Sequence, residues 1–371
     1  QPRGVVLVIS PWNYPFQLSL IPLIAAAFAG NAVILKPSEV TPKVGQAIKR
    51  LCELCEFPPG VVQVALGGKD LGAELVQGNL DYIFFTGSVR TGKIIQQEAA
   101  KRLIPTTLEL GGKDPMIVCA DANLKRAAKG AVWGAFTNMG QVCMSVERLY
   151  VERSVHDQFV TLLVAEVEKL TQGSGSDHDL GAMTWPGQVE IVKEHVNDAL
   201  TRGAKLLTGL PPDKWDLSEG LFIPPMVLVG VTPEMKIMQE ETFGPVLPAM
   251  PFDDIDETIR HANDSNFGLN ASVWSRDLRK AHRIARELVS GNVAINDVII
   301  SVANPNLPFG GVKESGIGRY HGEVGLQTFC HQRAVIISRG RRQNELNWYP
   351  YRGKRGMFAK AVRWLYGRFG R

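Results

Sequence analysis

The sequence predicts an α/β fold built on parallel sheets, and three observations indicate it. Up to about Gly112, short apolar runs rich in β-branched residues alternate with segments of helical periodicity. After Gly112 the same alternation begins again. Polar and glycine-rich residues follow the apolar runs, at the place where parallel sheets bind their ligands.

In the first third of the chain, five strands are expected with helices between them. Buried strands that alternate with helices favour a parallel sheet wrapped by helices. The predicted strands are 5–9, 32–35, 61–66, 82–85 and 107–110, and the predicted helices are 16–28, 44–55 and about 91–101.

After Gly112 the pattern predicts a second α/β region, which ends near Phe309. Its segment 308–311 is expected to cross back toward the first region. The predicted strands are 116–119, an extended run at 148–151 and strands near Ala204 and Met226, and the predicted helices are 124–136, 154–170 and 188–202.

The composition is that of an ordinary globular protein, with 45% hydrophobic and 21% charged residues in 371. Five cysteines without disulfide-like spacing favour a reducing compartment such as the cytoplasm. No metal site is expected, because the Cys52-x-x-Cys55 pair has no second cysteine or histidine pair near it. The longest apolar stretch, 18–29, contains Ser19 and Pro22 and is too short to span a membrane.

The positive charge is concentrated at the C-terminus. Residues 346–371 contain seven Lys or Arg and no acid, so the rest of the chain has a formal charge of −3, seven below the whole-chain value of +4. A mildly acidic body argues against a nucleic-acid-binding surface. The charge therefore points to a specific role for the tail.

Cys143 follows a Gly-Gln turn and precedes the extended run at 148–151. A thiol acts as a nucleophile when it is accessible and partly ionised. Gly140 would let the backbone approach a ligand, and the Cys143 N–H could then point at an oxyanion. Taken alone, a free cysteine is more often a small core residue, but residues elsewhere in the chain favour the reactive alternative.

Polar residues at two predicted strand ends are candidate ligands of a dinucleotide. Lys36 and Glu39 follow the second strand, where an acid can accept hydrogen bonds from a ribose, although a surface turn is the alternative. Gly87, Ser88 and Gly92 open a helix whose free N–H groups suit a pyrophosphate. The spacing G-x-x-x-x-G differs from the usual dinucleotide fingerprint, so it is a weak signal by itself.

Three further positions suit chemistry on a carbonyl group. Glu109 ends the fifth strand before two glycines and could polarise a water molecule, or it could cap a turn. Asn13 offers a neutral amide donor for an oxyanion, or it could be a turn residue. Glu241 and Phe243 lie in a turn that could clamp a nicotinamide ribose, or that could be an ordinary Gly-Pro corner.

Seven motifs appear in order between Pro2 and about Val335, and together they resemble the aldehyde dehydrogenase family. Each motif is weak alone, whereas seven in the same order are specific. They are P-W-N-Y-P from Pro11, K-P-S-E from Lys36, F-T-G-S from Phe85, L-E-L-G-G-K from Leu108, G-Q-V-C from Gly140, E-T-F-G-P from Glu241 and P-F-G-G from Pro308. Segments 291–297 and 320–331 resemble the class 3 and fatty-aldehyde group.

This resemblance implies a domain plan. A Rossmann-like cofactor domain is expected over 1–112, with 312–330 returning to it, and a second α/β domain over 113–311 carries the nucleophile. A strand or oligomerisation segment over 331–345 and a homodimer are also implied. Family members carry a helical segment ahead of Pro2, so the resemblance implies that this segment is missing here.

The resemblance also implies residue roles. Cys143 would attack an aldehyde, Asn13 would hold the oxyanion, and Glu109 would activate the water that releases a carboxylic acid. The cofactor would be NAD or NADP, and the aldehyde is expected to be apolar, aliphatic or aromatic. The residues expected to bind the cofactor are Trp12, Lys36, Glu39, Gly87, Ser88, Gly92, Leu110, Glu241 and Phe243.

Two alternative functions stay open. A relative that passes its acyl group to coenzyme A would generally lack the base at Glu109. A non-catalytic, membrane-peripheral binding module derived from the fold is the other alternative.

The tail over 346–371 is basic, and 357–369 within it is amphipathic. Phe358, Leu365 and Phe369 share one face, with Lys360 and Arg363 opposite. Basic charge beside an apolar face suits the surface of an anionic membrane. The alternatives are packing on the protein's own body, packing on a dimer partner, or a disordered tail.

Overall fold

The computed structural model describes residues 1–367, and these belong to two compact units. The larger unit is Gln1–His331, and the second begins at Gln332. Within the described residues, the larger unit contains all thirteen strands and eleven of the twelve α-helices.

The strands are short, as expected for a sheet buried on both faces. They are β1 (Val5–Ile9), β2 (Ala32–Lys36), β3 (Val62–Val64), β4 (Tyr82–Thr86), β5 (Thr106–Glu109), β6 (Asp114–Val118), β7 (Val146–Glu152), β8 (Lys205–Leu206), β9 (Met226–Val229), β10 (Val246–Phe252), β11 (Asn270–Trp274), β12 (Asn292–Ile295) and β13 (Gly316–Ile317).

Helices connect most of the parallel strands, as parallel pairing requires. They are α1 (Gln17–Phe28), α2 (Pro42–Leu54), α3 (Lys69–Gln77), α4 (Val89–Ala100), α5 (Leu124–Phe136), α6 (Arg153–Val167), α7 (Pro186–Thr201), α8 (Lys236–Gln239), α9 (Ile255–Asn263), α10 (Leu278–Glu287), α11 (Gly322–Thr328) and α12 (Arg355–Gly367).

The first sheet has six strands in the order β13-β5-β4-β1-β2-β3. Strands β1 to β5 are parallel, and β13 pairs antiparallel with β5. The chain adds β2 and β3 on one side of β1, and then β4 and β5 on the other. Ligands of open α/β sheets bind where the strand order reverses in this way, outside the carboxyl ends of the strands.

The second sheet has seven strands in the order β12-β11-β6-β7-β10-β9-β8. Its strands are parallel except β8, which pairs antiparallel with β9. Its interior strand β6 is buried along its whole length. Continuous apolar runs such as Met116 to Val118 therefore reflect a sheet covered on both faces.

Four residues, 110–113, join the end of β5 to the start of β6. The carboxyl edge of the first sheet therefore lies beside the amino edge of the second. Loops that follow β1 and β5 meet loops that precede β7 and β10 at this seam, as the contacts described below show. The seam is the place where the candidate site residues are brought together.

The predicted α/β class is confirmed, and most predicted strands and helices are present with their ends shifted by a few residues. Helix α3 was not predicted. The predicted strand over 331–345 is absent: these residues lie outside any helix or strand. A strand needs a neighbour to satisfy its backbone hydrogen bonds, and no described strand pairs with this segment. The proposed domain boundaries stay predictions.

From Gln332 onward, α12 is the one α-helix among the described residues. Val362, Leu365 and Tyr366 on it are exposed. Phe369, which the amphipathic face was predicted to include, lies outside the described residues together with the rest of 368–371. Over residues 1–367, no helix combines the length and the apolar character needed to cross a membrane.

Candidate active site

The loop that carries Cys143 is held by Gly140 and Gln141. Gly140 has a φ of +69°, and a Cβ there would lie 2.2 Å from the carbonyl oxygen of Gly244. Only glycine fits both the conformation and the close approach. The Gln141 Nε2 donates to the Asn138 carbonyl at 2.9 Å, and its Oε1 accepts from the Thr184 N–H at 2.9 Å. The half-buried Cys143 therefore sits on a rigid loop.

Asn13 is tied to that same loop. Its Nδ2 donates to the Gln141 carbonyl oxygen at 3.0 Å, and its own carbonyl accepts from Asn138 Nδ2 at 3.0 Å. An amide nitrogen carries two hydrogens, so a second donor on Asn13 is available for a ligand. The structure thus ties Asn13 to the loop that carries Cys143, through hydrogen bonds between residues 125 or more positions apart.

Glu109 is buried at the end of β5, and neither of its carboxyl oxygens has a hydrogen-bond partner. Burial raises the pKa of Glu109 well above its ordinary value, and the Arg319 guanidinium opposes that rise only in part. A Cβ on Gly310 would lie 2.9 Å from its Oε1, so the crossing segment packs closely on it. A buried carboxyl without a protein partner is unusual and suits a group that acts on a small molecule.

The turn at Glu241 and Phe243 faces the seam. The Glu241 Oε1 accepts the Gly112 N–H at 2.9 Å, and a Cβ on Gly111 would lie 2.3 Å from its Oε2. The Phe243 ring meets Trp12 edge to face, with 5.4 Å between ring centroids. Gly111 and Gly112 therefore let the Glu241 carboxylate and the Cys143 backbone approach the same connection.

The electrostatic environment of Cys143 is acidic. Burial raises the pKa of its thiol, and the carboxylates of Glu241, Asp114 and Glu109 raise it further. Burial and the charge of Glu147 also raise the pKa of Glu241 to about 8. Burial first, and then the three neighbouring carboxyl groups, therefore disfavour a negative sulfur at Cys143.

Lys36 and Glu39 form a pair after β2. The buried Lys36 Nζ lies 2.8 Å from the Glu39 Oε2, while about half of the Glu39 side chain is exposed. Burial alone would raise the pKa of Glu39, but its contacts with the Lys36 ammonium lower it overall, so the carboxylate is ionised. An ionised, exposed carboxylate at the carboxyl end of β2 is the group that binds the ribose hydroxyls of a dinucleotide in such sheets.

Helix α4 begins beside the same edge. Ser88 is exposed, and its Oγ caps the helix by accepting the Thr91 N–H at 3.3 Å. Gly87 donates its N–H to the Glu109 carbonyl at 3.0 Å. A Cβ on Gly92 would lie 2.6 Å from the Leu110 side chain, so this glycine makes room for Leu110.

These residues fit a nicotinamide dinucleotide. An ionised acid follows β2, a capped helix begins after β4, and a carboxylate with two aromatic rings lies near Cys143. Such groups suit a ribose, a pyrophosphate and a nicotinamide riboside, respectively. The roles of Trp12, Gly87, Gly92 and Leu110 in binding stay predictions.

Sequence reasoning missed Glu147, Lys113 and Arg319. Glu147 and Lys113 form a fully buried ion pair at 2.5 Å next to the 241–243 turn. Arg319 donates to the carbonyls of Gly311 and Gly318, both at 2.7 Å, and its charge acts on Glu109. Lys113 ends the L-E-L-G-G-K motif but was given no role, because the partners of Lys113 and Glu147 lie 34 or more positions away and those of Arg319 are backbone atoms.

The family model described as "Aldehyde dehydrogenase family" matches residues 1–335. This chain belongs to the aldehyde dehydrogenase family. It is 51% identical over 351 residues to the 4,4'-diapolycopene aldehyde oxidase of Methylomonas sp, which covers 95% of this chain and 65% of that protein. It is 39% identical to a putative succinate-semialdehyde dehydrogenase [NADP(+)] 2 of Mycobacterium tuberculosis, covering 91% of this chain and 66% of that protein.

Among solved structures, the chain is similar to an NAD-dependent aldehyde dehydrogenase from Sinorhizobium meliloti. The TM-score is 0.88 at 38% identity, covering 93% of this chain and 68% of that one. The chain thus spans somewhat less than two thirds of the length of the two curated relatives. The two-sheet fold is that of the aldehyde dehydrogenase family, while the predicted class 3 affinity stays untested.

The acidic surroundings of Cys143 lead to a prediction for its alkylation by iodoacetamide. The reaction requires the thiolate, and a raised pKa keeps the thiolate fraction small at neutral pH. We expect the alkylation rate at Cys143 to rise from pH 7 to pH 10. The midpoint of this rise should lie at a higher pH than the midpoint for the exposed Cys55. Glu241→Gln should move the Cys143 midpoint to lower pH.

Peptide mass spectrometry resolves the two cysteines, so Cys55 is an internal control in every sample. A Cys143 midpoint below that of Cys55, or one that Glu241→Gln leaves unchanged, contradicts the electrostatic description.

Proposed function

We propose that this chain is an NAD(P)-dependent aldehyde dehydrogenase that oxidises an apolar aldehyde to a carboxylic acid. One observation carries the proposal: Cys143, the unpartnered carboxyl of Glu109, the amide of Asn13 and the Glu241–Phe243 turn converge at one seam. The chain's family and its resemblance to a structure named as NAD-dependent support it.

In the first step the Cys143 sulfur bonds to the carbonyl carbon of the aldehyde. The thiol gives its proton to water, and the carbonyl oxygen becomes an oxyanion. The second N–H of Asn13 and the Cys143 N–H are the donors available to hold that oxygen. Each donor of this kind contributes about 3 kcal/mol to a transition state. Because burial and carboxylates raise the Cys143 pKa, this step should speed up as pH rises.

In the second step a hydride leaves the thiohemiacetal carbon, and a thioester to Cys143 remains. When bound, NAD(P)⁺ supplies the hydride acceptor. Glu241 and Phe243 would orient its nicotinamide ribose, and Trp12 supports Phe243 through their edge-to-face contact.

In the third step Glu109 accepts a proton from water, which attacks the thioester carbonyl. The carbon–sulfur bond then breaks, the carboxylic acid leaves and the thiol of Cys143 is restored. Glu109 must be ionised for this step, and its raised pKa makes it a stronger base once ionised. A coenzyme-A-acylating enzyme has no need of such a base, so Glu109 favours hydrolysis.

The two key residues should give different kinetic defects. Cys143→Ala should lower NADH formation from an aldehyde by at least about 10⁴-fold, because no covalent intermediate forms. Glu109→Gln should give one burst of NADH, up to one equivalent per active site, and then at least about 10²-fold slower turnover.

Stopped-flow absorbance at 340 nm measures both phases, and Glu98→Gln at the exposed Glu98–Lys101 pair is the matched control. Full steady-state turnover by Glu109→Gln would refute the assignment of the base. Turnover restored by coenzyme A alone would favour the acylating alternative.

An apolar cavity of about 380 Å³ supports the proposed substrate class. Helix α1, the turn Ile300–Ala303 and helix α11 line it, mainly through apolar side chains. Tyr320 also lines it and pairs with Phe309, whose neighbour Gly310 packs on Glu109, which supports a position on the Glu109 side of the seam. The 51% identical relative is named for an aldehyde on a hydrocarbon, which favours a long apolar chain over succinate semialdehyde.

Filling this cavity should alter chain-length preference. With Ala25→Phe, kcat/KM for a ten-carbon alkanal should fall about tenfold, while that for propanal should change less than twofold, because only the longer chain needs the space. Ala100→Phe on exposed surface is the matched control. An equal loss for both aldehydes would contradict the assignment of the cavity.

The choice between NAD and NADP rests on Lys36 and Glu39. Glu39 would repel a 2′-phosphate, whereas the Lys36 ammonium would attract one. Lys36 is already paired with Glu39 at 2.8 Å, so the pair as a whole favours NAD.

We propose further that the chain acts as a homodimer in the cytoplasm and that 346–371 touches an anionic membrane. The dimer is proposed from the family resemblance, and the five free cysteines fit a reducing compartment. Helix α12 exposes Val362 and Leu365 in a segment rich in Lys and Arg, which suits an interfacial helix.

Deleting 346–371 should weaken binding to vesicles that contain 30% phosphatidylserine by at least about tenfold at 50 mM salt. Co-sedimentation measures the binding, and vesicles of phosphatidylcholine alone are the control. Unchanged binding after the deletion would contradict membrane contact through the tail.

A further inference from the structure

Glu147 lies at an irregular place in the second sheet. Val146 and Arg148 pair with the consecutive residues Asp114 and Pro115 of β6, so Glu147 is an extra residue in β7. This is a β-bulge, a feature that re-aims a side chain and is common next to active sites. The bulge lies four residues after Cys143, and the side chain it re-aims is 4% exposed.

The carboxylate of Glu147 holds the Glu241–Phe243 turn by its backbone. Its Oε2 accepts the Thr242 N–H at 2.8 Å, and its Oε1 accepts the Phe243 N–H at 2.9 Å. Phe243 has a φ of +49°, a conformation that an aromatic residue adopts only when its surroundings enforce it. The two hydrogen bonds from consecutive N–H groups supply that constraint.

Lys113 contacts both Glu147 and the turn that Glu147 holds. Its Nζ lies 2.5 Å from the Glu147 Oε2 and donates to the Thr242 Oγ1 at 3.1 Å. The N–H of the preceding residue, Gly112, donates to the Glu241 carboxylate at 2.9 Å. The turn is thus tied to the 110–113 connection twice, through the Glu241 side chain and through Glu147.

We propose that Glu147 is a positioning residue for the nicotinamide half of the cofactor. It fixes the Glu241 carboxylate and the Phe243 ring relative to Cys143 without touching the cofactor itself. The inference rests on the proposed function, because it assigns Glu241 and Phe243 to that half of NAD(P). A salt bridge that served only to stabilise the core would not need both carboxylate oxygens to face consecutive N–H groups.

The decisive variant is Lys113→Met with Glu147→Gln. Glutamine offers one acceptor oxygen, so one of the two turn N–H groups loses its partner. Removing the lysine charge at the same time avoids an unpaired buried ammonium, which could prevent folding in Glu147→Gln alone. We expect the affinity for NADH, measured by NADH fluorescence, to fall about tenfold. A loss of this size corresponds to the free energy of one charge-assisted hydrogen bond.

A second readout uses the protein without cofactor. In hydrogen–deuterium exchange, the peptide that contains Thr242 and Phe243 should exchange faster in the double variant, while peptides from β9 and β11 stay unchanged.

In steady-state kinetics, KM for NAD should rise about tenfold and KM for the aldehyde less than twofold. The matched control is Lys169→Met with Glu166→Gln, which removes an exposed pair on another part of the chain and should alter none of these values.

Wild-type NADH affinity in the double variant would overturn the inference, and so would faster exchange across the whole second sheet, which would indicate a general structural role. If the wild-type chain binds neither NADH nor NADPH, the proposed function fails and this inference fails with it. Faster exchange confined to the turn would still show in that case that Glu147 holds it, so the two failures are distinguishable.

Discussion

The short connection from Glu109 to Asp114 is the constraint on which the rest of the site depends. Because only residues 110–113 separate two parallel sheets, the carboxyl edge of one lies against the amino edge of the other. Two glycines in that connection accept contacts that a Cβ would block, with Glu241 at Gly111 and with the Cys143 carbonyl at Gly112. Cys143, Glu109 and the Glu241–Phe243 turn, to which we assign the roles of nucleophile, base and cofactor contact, are therefore all positioned by one stretch of backbone.

This arrangement has an electrostatic cost that bears on function. Packing three carboxyl groups around a sulfur raises the pKa of Cys143, and burial raises that of Glu109. A protonated thiol is a poor nucleophile but is also protected from adventitious alkylation and oxidation. The ionised forms of both groups become more populated as pH rises, so the acylation and hydrolysis that we propose for them share the same pH direction.

The fold class and the site residues were predictable to different degrees. Alternating strands and helices identified the α/β class, since the period of apolar residues is a local property. The sequence singled out Cys143, Glu109 and Asn13 as candidates because each follows or precedes a strand, the first two beside glycines and Asn13 between two prolines. The strand expected over 331–345 is absent, because a strand depends on a partner that the sequence of one chain does not specify.

The interactions that the sequence did not predict join residues that are far apart in the chain. Glu147 resembled an ordinary strand residue, and its meaning comes from a bulge and from two N–H groups 95 and 96 positions away. The raised pKa of Cys143 is likewise long-range, because it comes from burial and from the carboxyl groups of Glu109, Asp114 and Glu241, which are distant in sequence. Electrostatic coupling of this kind depends on packing, which periodicity and motif spacing do not describe.

The most direct experiment is to trap the acyl group that Cys143 is proposed to carry and that Glu109 is proposed to release by hydrolysis. Glu109→Gln would be mixed with an apolar aldehyde and NAD, quenched in acid and digested for peptide mass spectrometry. We expect the peptide that contains Cys143 to gain the mass of the aldehyde less two hydrogens. We expect no such gain when NAD is omitted. No adduct, or an adduct spread over the other four cysteines, would contradict this expectation.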